Sequence, residues 1–202
     1  QILRADFSLP NGAKGTLSAP MTVLKTQWTA DYITVPPTLA TLLDPAVTNA
    51  ELALLKQVYG AFTPDKLWDG AWQVPVAGPI TTHFGEQRSY NGGPVGGHHG
   101  GTDIGAEAGT PVTATNSGKI AMARQVSVRG NMVIIDHGGQ LFSGYAHMSS
   151  FAVAEGQAVR AGDLIGYVGS TGLSTGAHLH WEMSVGGVLV DAWRFTDGTN
   201  GL

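Results

Sequence analysis

Cysteine is absent from the 202 residues of this chain. Disulfides and thiolate metal sites are therefore excluded, and any bound metal must be held by histidine and carboxylate. The same absence leaves the compartment open. Charge is scarce as well: Asp, Glu, Lys and Arg make up 13% of the chain, about half the ordinary share. With 11 Lys and Arg against 15 Asp and Glu and a formal net charge of −4, and with no basic run, the balance argues against a nucleic-acid footprint and against an acidic membrane surface as partner. No uninterrupted apolar stretch approaches the ~18 residues of a spanning helix, and no basic segment leads into an apolar one at the N-terminus. A chain that opens at Gln1 instead of Met is expected to be a processed or trimmed product.

Glycine is what the chain has in excess, at 29 residues, roughly double ordinary usage, which favours turns and strands over surface helices. The length suits one medium domain, or one plus a small appendage, with a proper core. Residues 1–47 read as irregular strands, because TLSAPMTVL and ADYITVPPTLATLL carry β-branched residues broken by proline. TNAELALLKQVYGAF reads as a helix: Thr48 or Asn49 caps it, Leu52, Leu55 and Tyr59 share an apolar face, and Gly60 ends it. TPDKLWDGAWQVPVAGPI reads as a linker packed onto a neighbour, with a boundary near residue 72. Beyond it PVTAT, KIAMA, NMVIID, LFSGYAHM, DLIGYVG, AHLHWEM and GVLVDAW are short strands between glycine turns. The predicted fold is mainly β: a small mixed N-terminal region with one helix over residues 1–72, then an antiparallel sandwich or barrel over residues 73–202.

Five of the seven histidines fall in three clusters of the β region: His98 and His99 in HHGGTD, His147 in GYAHMS, and His178 and His180 in GAHLHWEM. Each cluster lies at the end or edge of a predicted strand, where side chains from separate elements can converge. On a strand His178, His180 and Glu182 point one way while Leu179, Trp181 and Met183 point into the core. His99 and Asp103 in a regular strand would lie about 13 Å apart, too far for one ion about 2 Å from each. A bend at Gly100 and Gly101 can bring them together, since glycine enters backbone regions closed to other residues. Spacing alone permits His98 in that role too, and the bland reading of HHGGTD is a polar glycine turn in water.

Zinc catalysis needs three protein ligands and an open position where a bound water becomes nucleophilic near neutral pH. An amide carbonyl attacked there develops an oxyanion that needs a further donor, and histidines off the metal can supply it or act as general base. This chain has histidines to spare in the right clusters.

HHGGTDIGAEAGTPVTA, IDHGGQLFSGYAHMS and VGSTGLSTGAHLHWEM, in that order, resemble the lysostaphin/LytM family of zinc metalloendopeptidases over about residues 73–195. Only the register His99, Gly101, Asp103 satisfies the family's HxGxD motif, so the resemblance selects His99 over His98. It implies a Zn²⁺ ion held by His99, Asp103 and His180, catalytic roles for His147 and His178, and hydrolysis of peptide bonds in the cross-bridges or stems of bacterial peptidoglycan. It also implies a secreted or cell-envelope location.

Around that centre, Glu182 is a candidate to orient His180 or His178, against the reading of a solvated strand carboxylate. His137 is expected to stabilise a turn, and His83 can line the cleft. Tyr145 is expected in the core on the same face as Ser143 and His147, and the tryptophans read as packing residues. Residues 1–72 show no family resemblance; folding support, substrate positioning and occlusion of the cleft are their candidate duties. Two rival readings keep the fold without the reaction: a non-catalytic cell-wall-binding or regulatory module, and a barrel-sandwich carrier. The segment EGQAVRAGDLIGYVG resembles the turn of biotinyl/lipoyl-type domains, but no lysine sits at the expected hairpin tip.

Overall fold

A computed structural model describes residues 2–20, 22 and 26–197. Strands β1 (Ile2–Ser8) and β2 (Lys14–Pro20) form a hairpin, followed by β3 (Ala30–Ile33), a 3-10 helix (Pro37–Leu43) and helix α1 (Pro45–Tyr59). Then come β4 (Ile80–Thr82), β5 (Gln87–Tyr90), β6 (Gly96–His98), β7 (Thr102–Gly105), β8 (Pro111–Thr113), β9 (Gly118–Gln125), β10 (Asn131–Asp136) and β11 (Leu141–Met148). The last are β12 (Ser150–Phe151), β13 (Ala158–Val159), β14 (Leu164–Tyr167), β15 (His178–Val185), β16 (Val188–Val190) and a 3-10 helix (Ala192–Phe195).

The fold is mainly β, as the glycine-punctuated pattern predicts. An antiparallel sheet runs β13-β9-β10-β11-β15-β7-β4, with β16 beside β15, and a smaller sheet runs β12-β14-β8. The two enclose one core, in which Val133, Ile135, Tyr145, Leu179 and Trp181 of the large sheet meet Val112 and Ile165 of the small one. Trp72 and Trp181 belong to this core, and Trp68 and Trp193 pack against it partly buried, so packing accounts for them; Trp28 is exposed. GVLVDAW is a strand only as far as Val190, because the Asp191 carboxylate accepts from the Trp193 amide and starts the second 3-10 helix.

The opposite face of the large sheet carries a second core: Met132, Ile134, Phe142 and Ala146 pack against Leu55 and Tyr59 of α1. The helix begins earlier than expected, since Asp44 and not Thr48 or Asn49 is the N-cap, accepting from the Ala46 amide with Pro45 at the first helical position. Gly60 closes it, as expected. Its buried face also differs: Leu52 is 53% exposed, while Glu51 is buried with Leu55 and Tyr59. ADYITVPPTLATLL is strand only over Ala30–Ile33 and then turns into the 3-10 helix, where Pro36 and Pro37 stop ladder pairing. Of TLSAPMTVL, the first five residues belong to β2 and part of the remainder lies outside the described residues. The stretch before residue 73 is in close contact with the later strands: β3 pairs in parallel with β5, Ala30 opposite Gln87 through Ile33 opposite Tyr90.

Candidate metal centre

Two adjacent strands set the centre. β7 and β15 pair with Asp103 opposite His180 and Gly105 opposite His178. His99 lies just before β7, held by hydrogen bonds from its amide to the Glu86 carbonyl and from the Gly85 amide to its own carbonyl, both 2.8 Å. The bend that brings His99 to Asp103 is made, but not by unusual dihedrals: neither Gly100 nor Gly101 has positive φ. Gly101 is required for space, because a Cβ there would meet the Trp181 carbonyl oxygen at 2.5 Å and His180 Cε1 at 2.8 Å.

Three donor atoms form a small triangle. His99 Nε2, His180 Nδ1 and Asp103 Oδ1 lie 2.9, 2.8 and 3.0 Å apart in pairs, and all three residues are buried. The other ring nitrogen of each histidine is engaged: His99 Nδ1–H donates to the His83 carbonyl at 3.1 Å, and His180 Nε2–H to Glu182 Oε2 at 2.9 Å. Those bonds fix the tautomers, so two imidazole lone pairs and a carboxylate oxygen converge where a cation about 2 Å from each would satisfy all three. The donor set thus fits a borderline metal such as zinc. Arg88 Nη2 donates to Asp103 Oδ2 at 3.0 Å, leaving Oδ1 alone to face the triangle.

The electrostatics match. Burial would raise the Asp103 pKa, but hydrogen bonds and charge from His180 and His99 overcome it and hold the carboxyl well below its usual range. Burial pushes His99 down. At His180 burial acts downward, yet Asp103 and Glu182 together raise it. A proton or a metal ion is therefore favoured between these groups, and the two compete.

His147 and His178 stand beside the triangle, their ring centroids 4.7 Å apart. His147 Nδ1–H donates to the Thr171 carbonyl at 2.8 Å and His178 Nδ1–H to the Gly176 carbonyl at 2.9 Å. Each therefore presents Nε2 as an acceptor, and that of His178 lies 3.8 Å from Asp103 Oδ1. Burial, then the neighbouring His178 and His180, lower the His147 pKa to about 3, so this imidazole is neutral at pH 7.

All five candidates converge, and the remaining ones separate. His98 is exposed, edge-on to Trp28, with Nδ1 on the Gly85 carbonyl. His83 is exposed and contributes only its carbonyl. His137 is fully buried at the β10 hairpin, between the Ser117 carbonyl and the Ser143 hydroxyl. Glu182 is fully buried, which rules out the solvated reading, and its carboxylate is held low because the Arg129 charge and the His180 and Tyr59 hydrogen bonds outweigh burial. Sequence reasoning missed Arg88, Arg129, Glu51 and the part taken by Tyr59. No motif marks them; the one available signal was a glutamate and a tyrosine at helical spacing, 51 and 59, flanking Leu55.

The centre opens into a groove of about 400 Å³ walled by Asp31–Val35 on one side and residues 173–177 on the other. A smaller hollow, also lined by His99, Arg129 and His180, shares Arg88, Tyr90, His147 and Leu173 with it. Through those shared residues the two hollows adjoin as one cleft beside the histidines.

Residues 97–192 match peptidase family M23. The chain belongs to this family. Among relatives of this M23 chain, the peptidoglycan DD-endopeptidase ShyA of Vibrio cholerae is 42% identical over 96 residues, 48% of this chain and 22% of ShyA. The chain spans about a fifth of the length of the first curated relatives it matches. A zinc containing peptidase from Vibrio cholerae has 34% identity over 60% of this chain and 39% of that one, with a TM-score of 0.55. A Pseudomonas aeruginosa structure assigned to peptidase M23 has 27% identity and a TM-score of 0.71 over 96% of this chain and 72% of its own. That last likeness reaches well into the N-terminal region of this M23 chain.

Proposed function

We propose that the chain is a zinc-dependent endopeptidase acting on peptide bonds of bacterial peptidoglycan, in the cross-bridges or the stems, at the cell envelope or outside it. Residues 73–202 form the endopeptidase domain and residues 1–72 an accessory region built against it. His99 Nε2, Asp103 Oδ1 and His180 Nδ1 hold the metal. The observation that carries the reading is the tautomer-locked donor triangle flanked by two further imidazoles whose Nε2 atoms are free to accept. The names of ShyA and of the zinc containing peptidase support it.

When bound, zinc supplies Lewis acidity, polarising a carbonyl and making water acidic near neutral pH. The protein does the rest. Its cleft aligns the peptide, and β3 on one wall presents an edge that no other strand pairs among the described residues, along which an extended chain can lie. His147 and His178 serve proton transfer and the oxyanion: a neutral imidazole takes the proton of the attacking water at Nε2, and the imidazolium so formed donates to the developing negative oxygen and gives its proton to the departing amine nitrogen.

The test is chelation followed by zinc. Digestion of purified cell walls should stop on chelation and return with zinc, and mass spectrometry of the fragments identifies the bond cut. Binding to walls without release of fragments, in the zinc-loaded protein, would replace this reading with that of a non-catalytic module.

A further inference from the structure

Helix α1 and the histidine cluster share one face of the large sheet. Two side chains of α1 reach the centre from there. The Tyr59 hydroxyl donates to Glu182 Oε1 at 2.6 Å, and among the described residues it is the sole donor to that oxygen. Glu182 Oε2 accepts from His180 Nε2 at 2.9 Å and from Arg129 Nε and Nη2 at 3.0 and 2.9 Å. Arg129 is in turn fixed by Glu51, which accepts from its Nη1 and its amide at 3.2 Å and from the Val128 amide at 2.5 Å. Gly144 opens the way, because a Cβ there would meet the Tyr59 hydroxyl at 2.5 Å and Glu182 Cγ at 2.8 Å.

We propose that Tyr59, and Glu51 acting through Arg129, are positioning residues of the metal centre, so that helix α1 holds His180 in its ligating orientation through Glu182. This rests on the zinc reading given above. The physical reason is that Glu182 is 0% exposed, so an oxygen that loses its donor cannot turn to water. Without the Tyr59 hydroxyl the carboxylate rotates or shifts toward Arg129, and the bond that fixes His180 with Nδ1 facing the triangle is loosened. Outer partners of a ligating histidine commonly change metal affinity by about 10- to 100-fold. The accessory region then has a duty at the centre itself, which the metal-binding motifs do not reveal.

The test uses the full chain, with zinc affinity measured by chelator competition and the visible spectrum recorded for the cobalt(II)-loaded protein. Tyr59→Phe keeps the ring packed on Phe142 and removes only the hydroxyl. It should weaken zinc binding about 10-fold or more and alter the cobalt spectrum. Leu55→Ala is the control, since Leu55 is buried on the same helix but outside the network; it should lower the melting temperature and leave both metal readouts unchanged. The inference is overturned if Tyr59→Phe binds zinc as tightly as wild type, or if Leu55→Ala weakens binding equally, which would reduce the helix to general support. Failure of the wild type to bind zinc would instead sink the metal reading, and this inference with it.

Discussion

Tyr145 and His147 stand two positions apart on β11 and face opposite sides of the sheet. Tyr145 lies in the sandwich core, while His147 lines the cleft. Regular alternation would put them together. The cause is a bulge: Tyr145 pairs with Val133 and Met148 with Asn131, so Ala146 and His147 together oppose Met132, and His147 takes a left-handed φ of 61°. Met148 then returns to the core.

The bulge makes His147 a re-aimed residue whose backbone is strained by about 1 kcal/mol relative to glycine. His147→Gly should therefore be more stable than His147→Ala by about that amount, the reverse of the order in a helix. Denaturant unfolding of the two variants measures it. Both should keep zinc at wild-type stoichiometry and lose at least about 100-fold in wall hydrolysis.

His178 and His180 share a face of β15, but only His180 Nδ1 reaches Asp103 Oδ1, at 2.8 Å against 3.8 Å for His178 Nε2. His180→Ala should bind zinc at far below one equivalent. His178→Ala should retain a full equivalent and lose turnover. Metal analysis after dialysis decides, and retention of zinc by His180→Ala would mean that the donor triangle is not the metal site.

Much of this centre is legible in the sequence because its parts repeat with the period of a strand. His178, His180 and Glu182 follow one face of β15, and Leu179, Trp181 and Met183 the other, as the two-residue period requires. What escapes is whatever breaks a period or crosses a long stretch of chain. The parity reversal at His147 depends on one extra residue opposite Met132. Glu51 hides because an amphipathic reading assigns a buried face to leucines, whereas a glutamate is buried here against the Arg129 guanidinium and two backbone amides. The Asp44 cap lies outside the periodic segment altogether, just before a proline.

Gly100 and Gly101 are neighbours with different reasons to be glycine. A Cβ at Gly101 would press on the Trp181 carbonyl and the His180 ring, whereas one at Gly100 would meet only Leu189 Cδ1, the end of a flexible side chain. Gly101→Ala should cost about 1–3 kcal/mol and weaken zinc binding. Gly100→Ala should be tolerated within about 1 kcal/mol. Equal melting temperatures for the two variants would contradict the steric distinction between them.

His137 supplies a dependence on pH that is separate from the metal. Its Nδ1–H donates to the Ser117 carbonyl at 2.7 Å, its Nε2 lies 2.8 Å from Ser143 Oγ, and Ser143 Oγ is 2.9 Å from the Tyr145 hydroxyl. Burial lowers its pKa to about 4, with the Ser117 bond and the Asp136 charge offsetting part of that. The unfolded chain therefore takes up this proton first as the pH falls. The stability contributed is full above about pH 6.5 and is lost progressively between about 6.5 and 4, reaching about 3 kcal/mol for the single proton. In metal-free protein, so that zinc release does not add to the slope, His137→Gln should be less stable than wild type at pH 7.5. It should also lose less stability on acidification, by up to about 1.4 kcal/mol per pH unit within that window. His147 is buried in both proteins and cancels in the comparison. Parallel stability curves for the two between pH 6.5 and 4 would show that the buried imidazole does not titrate as its surroundings require.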